Sequence, residues 1–175
     1  LAVLKIEATG LPAVTLGSSK DLVIGDMVVA IGNPLGTLSS TQTVGYAIEV
    51  EGHKFVIMTD VGRMTDEAVE YARWADTVVV ESNYDMDMLL SGPYTHELKM
   101  RIVQGCGHLS NDECASAVKR FWHDGLRNIF LCHLSDNNNT HKIAADCTAA
   151  ALEEIGVTKG QVSLRCLPRE YPSQM

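Results

Sequence analysis

The spacing of apolar positions changes near residue 46. From Leu1 to Tyr46 the apolar runs, Ala2 to Ile6 and Met27 to Ile31, are short and are separated by Gly, Ser, Asp and Pro clusters, which predicts strands and turns with no helical period. From Ala47 onward strand-like and helix-like spacings alternate. Ala47 to Val50 and Lys54 to Thr59 flank Glu51-Gly52-His53, a hairpin pattern whose second strand ends at Asp60.

Thr65 caps a helix running to about Trp74, with Ala68, Val69 and Ala72 on one face. Thr77 to Glu81 reads as a short buried strand. A polar link follows, with helical stretches near Asp85 to Leu90 and Thr95 to Val103. Ser110 and Glu113 have capping-box spacing and open a helix with Cys114, Ala117, Val118 and Phe121 inward. Asn128 to Cys132 is the next strand and Asp136 to Asn139 a turn. Thr140 to Ile155 is a helix with Ala144, Cys147, Ala151 and Ile155 on its stripe. Gly156 closes it, and Gln161 to Leu167 is the last strand.

The order β-β-α-β-α-α-β-α-β predicts a layered α/β arrangement, and the change of texture places a boundary near Val44-Gly45-Tyr46, giving segments 1–46 and 47–175. Charge follows the same division: residues 1–46 carry two bases and three acids, so −7 of the net −8 lies beyond them. At 175 residues, 46% hydrophobic and 21% charged, the composition is that of a globular protein. The net charge excludes a broad basic footprint for nucleic acid but not a small phosphodiesterase cleft. No apolar run reaches the roughly 18 residues that span a bilayer, and Leu1 to Ile6 lack a signal peptide's basic start, so no membrane association is expected. The five cysteines, Cys106, Cys114, Cys132, Cys147 and Cys166, form no C-x-x-C pair, which points to free thiols and a cytoplasmic setting. Cys114 and Cys147 read as buried core residues.

Leu1-Ala2-Val3-Leu4-Lys5-Ile6, Leu22-Val23-Ile24-Gly25-Asp26, Ala30-Ile31-Gly32-Asn33-Pro34-Leu35-Gly36 and Thr43-Val44-Gly45-Tyr46 resemble, in order, the core of an HtrA-type trypsin-like serine protease. The family's Asp would directly precede Leu1, its His lies earlier still, and no Gly-Asn-Ser-Gly-Gly run occurs. No triad residue carries over. Ser39, Ser40 and Thr41 read as a polar loop.

Thr59-Asp60-Val61-Gly62, Glu81-Ser82-Asn83-Tyr84-Asp85, Gly107-His108-Leu109-Ser110-Asn111 and Cys132-His133-Leu134-Ser135 resemble the C-terminal half of the metallo-β-lactamase superfamily, of the YycJ/WalJ-type hydrolases related to nucleases. The implied fold is half of an αββα sandwich preceded by a short all-β trypsin-like fragment. Asp60 and His133 both follow predicted strands at their carboxyl ends, where α/β sheets gather ligands, and an oxygen with an imidazole suits zinc or manganese. By resemblance Asp60 is the carboxylate that bridges two metals and His133 a ligand of the second. Without the resemblance Asp60 is a turn residue and His133 a strand-end residue.

His108 stands before the Ser110 cap, where its ring, Ser110, Asn111 and the following amides suggest a phosphate site, and His108 is the remaining catalytic candidate. Packing beside an ordinary cap is the alternative. Glu81 and Asp85 resemble family positions near the pocket, and equally fit a strand-end and a helix-start acid. His53, His96, His123 and His141 read as surface or turn residues. The family's His-x-His-x-Asp-His run is missing, so the metal site is expected to be incomplete and metal weakly held or absent.

The reading is a metal-dependent hydrolase, phosphodiesterase or nuclease-like, present as a fragment with nucleic acid or another phosphodiester as substrate, and prone to associate through exposed sheet edges. The alternatives are an HtrA-type serine endopeptidase relative without its triad, and a non-catalytic fusion or misassembly product.

Overall fold

The computed structural model describes residues 45–103 and 107–168. The strands expected at Ala2 to Ile6 and Met27 to Ile31, the Ser39 to Thr41 loop and Cys106 lie outside the described residues. One five-stranded sheet has the order β1 (Tyr46–Val50), β2 (His53–Met58), β3 (Thr77–Glu81), β4 (Asn128–Cys132) and β5 (Ser163–Cys166). β1 is antiparallel to β2, and the other pairings are parallel. The hairpin turns on Glu51 and Gly52, with φ of 52° and 81°, the two positive values that a two-residue turn needs to match strand twist.

The parallel strands are joined through helices. α1 (Asp66–Trp74) follows β2, and α2 (Met86–Ser91), α3 (His96–Val103) and α4 (Asn111–Phe121) follow β3. α5 (His141–Glu154) follows β4. Three helices separate β3 from β4 where the sequence order allowed two, because both helical stretches of the polar link form complete turns.

Side chains alternate across each strand, so Val56, Met58, Val78, Val80, Ile129 and Leu131 fall on one face. They join Ala68, Val69 and Ala72 of α1 and Cys114, Ala117, Val118 and Phe121 of α4 in the main core. Val79, Phe130 and Cys132 form a smaller cluster on the other face, against Ile57 and Leu167. β3 is buried along its whole length.

Caps set the helix starts. Thr65 accepts from the Ala68 amide at 3.1 Å, and the Ser110–Glu113 capping box is complete. α5 departs from expectation: Ala144, Thr148, Ala151 and Leu152 are buried, whereas Ile155 is 40% exposed and Cys147 is half-buried beside Asp112. Thr148, one turn after Ala144, lies in the core, where its hydroxyl has no hydrogen-bond partner among the described residues.

Candidate functional site

The carboxyl ends of β2, β3 and β4 lie side by side, and each is followed by a residue or loop that enters the site. Asp60 and His133, just past β2 and β4, both have φ of 55°. A left-handed backbone at a residue other than glycine costs about 1 kcal/mol or more, so neighbouring structure must hold it.

Much of that hold on the His133 loop is visible. Asn83 Nδ2 donates to the His133 carbonyl at 2.6 Å, and the Ser135 amide donates to the Asn83 carbonyl at 2.7 Å. Behind them Asn111 and Asn139 exchange amide hydrogen bonds at 3.0 and 2.8 Å, Ser82 Oγ donates to Asn111 Oδ1 at 2.6 Å, and Asn139 Nδ2 also donates to the Ser82 carbonyl at 2.8 Å. Three loops are thus locked together by buried, satisfied amides.

Glu81, at the end of β3, is fully buried. Its Oε1 accepts from His108 Nδ1 at 2.6 Å and from His133 Nδ1 at 2.9 Å. Its Oε2 accepts from the Val61 amide at 3.0 Å and the Leu109 amide at 3.4 Å. One carboxylate therefore orients both imidazoles through Nδ1, and neither Nε2 has a hydrogen bond among the described residues. The ring centroids are 5.1 Å apart.

Asp60 is open to solvent, with Oδ1 3.6 Å from His108 Nδ1 and 3.8 Å from His133 Nδ1. The His108 pKa is raised above its usual value chiefly by the hydrogen bond to Glu81, with burial opposing and the charges of Glu81 and Asp60 adding.

Ligand atoms of Asp60, Glu81, His108 and His133 all lie within 4.8 Å of one another. With both Glu81 oxygens engaged, an exposed carboxylate and two imidazole edges remain, a donor set compatible with zinc or manganese. The three sequence candidates Asp60, His108 and His133 come together. Ser110 and Asn111 do not: both are buried, the Ser110 amide is taken by Glu113 Oε2 at 2.8 Å and the Asn111 amide by the Tyr84 carbonyl at 2.8 Å. They brace the site from behind.

Glu81 is the residue whose part the sequence understated. Its signal was an acid ending the otherwise uncharged Thr77-Val78-Val79-Val80 run of a strand buried on both faces. Asp85 is a cap, accepting from the Met88 amide at 2.9 Å.

A sequence-family model described as "Beta-lactamase superfamily domain" matches residues 5–133. The chain belongs to the beta-lactamase superfamily. Its curated relatives include the exodeoxyribonuclease YycJ of Bacillus anthracis, 34% identical over 122 residues, which are 70% of this chain and 46% of that protein. The exodeoxyribonuclease WalJ of Streptococcus pneumoniae is 36% identical over 99 residues, 57% of this chain and 37% of that protein. This beta-lactamase superfamily chain thus spans less than half the length of those relatives.

A third similarity is to a probable periplasmic serine endoprotease, DegP-like, of Chlamydia trachomatis: 48% identity over 60 residues, 34% of this chain and 12% of that protein. It supports the resemblance of a part of the chain to HtrA-type proteases. The described α/β sheet with its helices agrees with half of a metallo-β-lactamase fold. No helix among the described residues is long and apolar enough to cross a membrane.

Proposed function

We propose that the Asp60–Glu81–His108–His133 centre belongs to a metal-dependent phosphodiester hydrolase, nuclease-like in its substrate. The observation that carries this reading is the shared carboxylate: Glu81 Oε1 engages both imidazoles through Nδ1, and Asp60 Oδ1 stands 3.6 and 3.8 Å from the same two atoms. The exodeoxyribonuclease names of the YycJ and WalJ relatives support a nucleic-acid substrate.

Asp60 and His133 would hold zinc or manganese, which when bound supplies Lewis-acid activation of water and neutralises charge at phosphorus. The protein's own groups do the rest. Glu81 keeps each Nδ1 protonated and each ring fixed. His108, whose pKa the same carboxylate raises, would as the imidazolium give its Nε2 proton to the departing sugar oxygen and keep its Nδ1 proton on Glu81. The Asn83 and Asn111–Asn139 contacts hold the His133 loop in its strained conformation.

The chain contains no His-x-His run, so in this reading the metal is held weakly by two residues and the site is incomplete. Residues 1–46 and 47–175 are, in the same reading, two segments of different ancestry. The DegP-like match over about a third of the chain supports this, whereas the superfamily match beginning at residue 5 extends ahead of residue 46. Limited proteolysis followed by mass spectrometry tests that boundary. A cytoplasmic setting is consistent with the four unpaired cysteines among the described residues.

The test of function is zinc titration by calorimetry, paired with hydrolysis of a labelled oligonucleotide. Weak binding that disappears in both Asp60→Ala and His133→Ala, with little or no turnover, is the expected result. Zinc affinity untouched by either substitution would overturn the assignment.

A further inference from the structure

The centre lines part of a cavity of about 870 Å³. Asp60, His108 and His133 are on its wall, and so are Tyr94, Leu98 and Arg101. This is near the upper end of ligand-cavity volumes, roughly 300–1,000 Å³, and leaves room beyond a single reacting phosphate.

Leu98 and Arg101 are three residues apart on α3, so they share a face, and Tyr94 sits in the link before it. α3 has no buried residue, so packing in the core does not account for this face. Among the described residues Arg101 is the one Lys or Arg on the cavity wall, and several of the others are committed elsewhere. Arg120 pairs with Asp66, Lys119 with Glu154 and Lys142 with Asp146, while Arg73 and Lys99 donate to backbone carbonyls. Arg101 has neither an ion pair nor a hydrogen bond among the described residues.

On a chain of net charge −8, a polyanion is repelled except where a local cation receives it. Resting on the proposed phosphodiester chemistry, we propose that Arg101 and Tyr94 form a subsite for the nucleotide next to the scissile bond. Arg101 binds its phosphate and Tyr94, with Leu98 beside it, stacks its base. A single strand suits this subsite because its bases are free to stack on an aromatic ring, and such stacking is tolerant of sequence. Asn83 and Ser135, also on the cavity wall, add neutral polar groups toward the sugar.

The experiment is fluorescence anisotropy with a 5′-labelled hexathymidylate, in EDTA so that no cleavage occurs. Arg101→Ala is expected to weaken binding about tenfold and to reduce the slope of log affinity against log salt by about 0.7, the single-strand value for one phosphate contact. Arg101→Lys restores part of both. Tyr94→Leu weakens binding about tenfold without changing the slope. Arg127→Ala, at the opposite ends of the parallel strands, leaves binding unchanged. Circular dichroism melts confirm that each variant folds.

Absence of strand binding at millimolar protein, or Arg101→Ala binding like the parent, overturns the subsite. Displacement of the strand by inorganic phosphate as readily as by thymidine monophosphate overturns the base-stacking part. The assay uses neither metal nor turnover. Arg101-dependent binding without zinc uptake at Asp60 and His133 would therefore retain the subsite and reject the proposed chemistry, and the reverse result would do the opposite.

Discussion

Replacing Glu81 by Gln keeps the shape of the side chain and removes one acceptor. The native carboxylate takes two imidazole donors on Oε1 and two backbone amides on Oε2. If the Gln carbonyl faces the rings, its NH2 confronts the Val61 and Leu109 amides and leaves two buried donors unsatisfied, at about 1–3 kcal/mol each. If the carbonyl faces the amides, the NH2 donates to both Nδ1 atoms. Each ring then changes tautomer and carries its proton on Nε2. Two charge-assisted bonds become neutral ones, a loss of about 1 kcal/mol apiece, partly offset by removing a buried charge. The second arrangement costs less, so Glu81→Gln should fold with a loss of about 2 kcal/mol or less by urea denaturation.

It should also lose zinc affinity out of proportion to that loss, because a protonated Nε2 does not bind a cation. The same exchange has a pH signature. The raised His108 pKa contributes stability that is fully present below the unfolded value of 6.5 and is lost as pH rises through the folded value. Urea midpoints in EDTA should therefore fall as pH rises across that window in the parent and change less in Glu81→Gln. Parent-like zinc affinity in a folded Glu81→Gln protein would refute the reasoning.

Asn139→Ala removes a partner from Asn111 and Ser82 in a buried network and should destabilise by about 2–3 kcal/mol, measured by urea denaturation. Burial pushes the Cys114 and Cys132 thiols up to about 12; iodoacetamide on the native protein should label both more slowly than half-buried Cys166, read by peptide mass spectrometry. Among the described residues β1 is an exposed edge strand presenting Tyr46, Ile48 and Val50, so Ile48→Lys should reduce self-association in sedimentation velocity without changing the thermal midpoint by more than a few degrees.

Local signals in the sequence carried far. The Thr65 cap, the Ser110–Glu113 box and the period-two Val runs place α1, α4 and the parallel strands, because each depends on neighbours within a turn or a pleat. Asp60, His108 and His133 were legible as strand-end or loop residues carrying ligand chemistry. Glu81 was not fully legible, because its role comes from meeting His108 and His133, which lie 27 and 52 residues away. Asn138 and Asn139 looked like a polar turn, yet both are buried, since the loop they belong to closes on two others. The same long-range closure turns Ser110 and Asn111 from possible ligands into braces. On α5, spacing alone left the rotation of the buried stripe open, and packing chose Thr148 and Leu152 over Cys147 and Ile155.

The central claim, that one buried carboxylate orients two imidazoles through Nδ1 beside a metal-binding site, is tested most directly by long-range proton–nitrogen NMR of nitrogen-15 histidine. The account predicts Nδ1-protonated rings at His108 and His133 at neutral to alkaline pH, with His133 Nε2 shifting as zinc is added and Asp60→Ala suppressing that shift. A neutral ring protonated on Nε2 alone, with Nδ1 bare, or a His133 signal indifferent to zinc at every concentration reached, would contradict it.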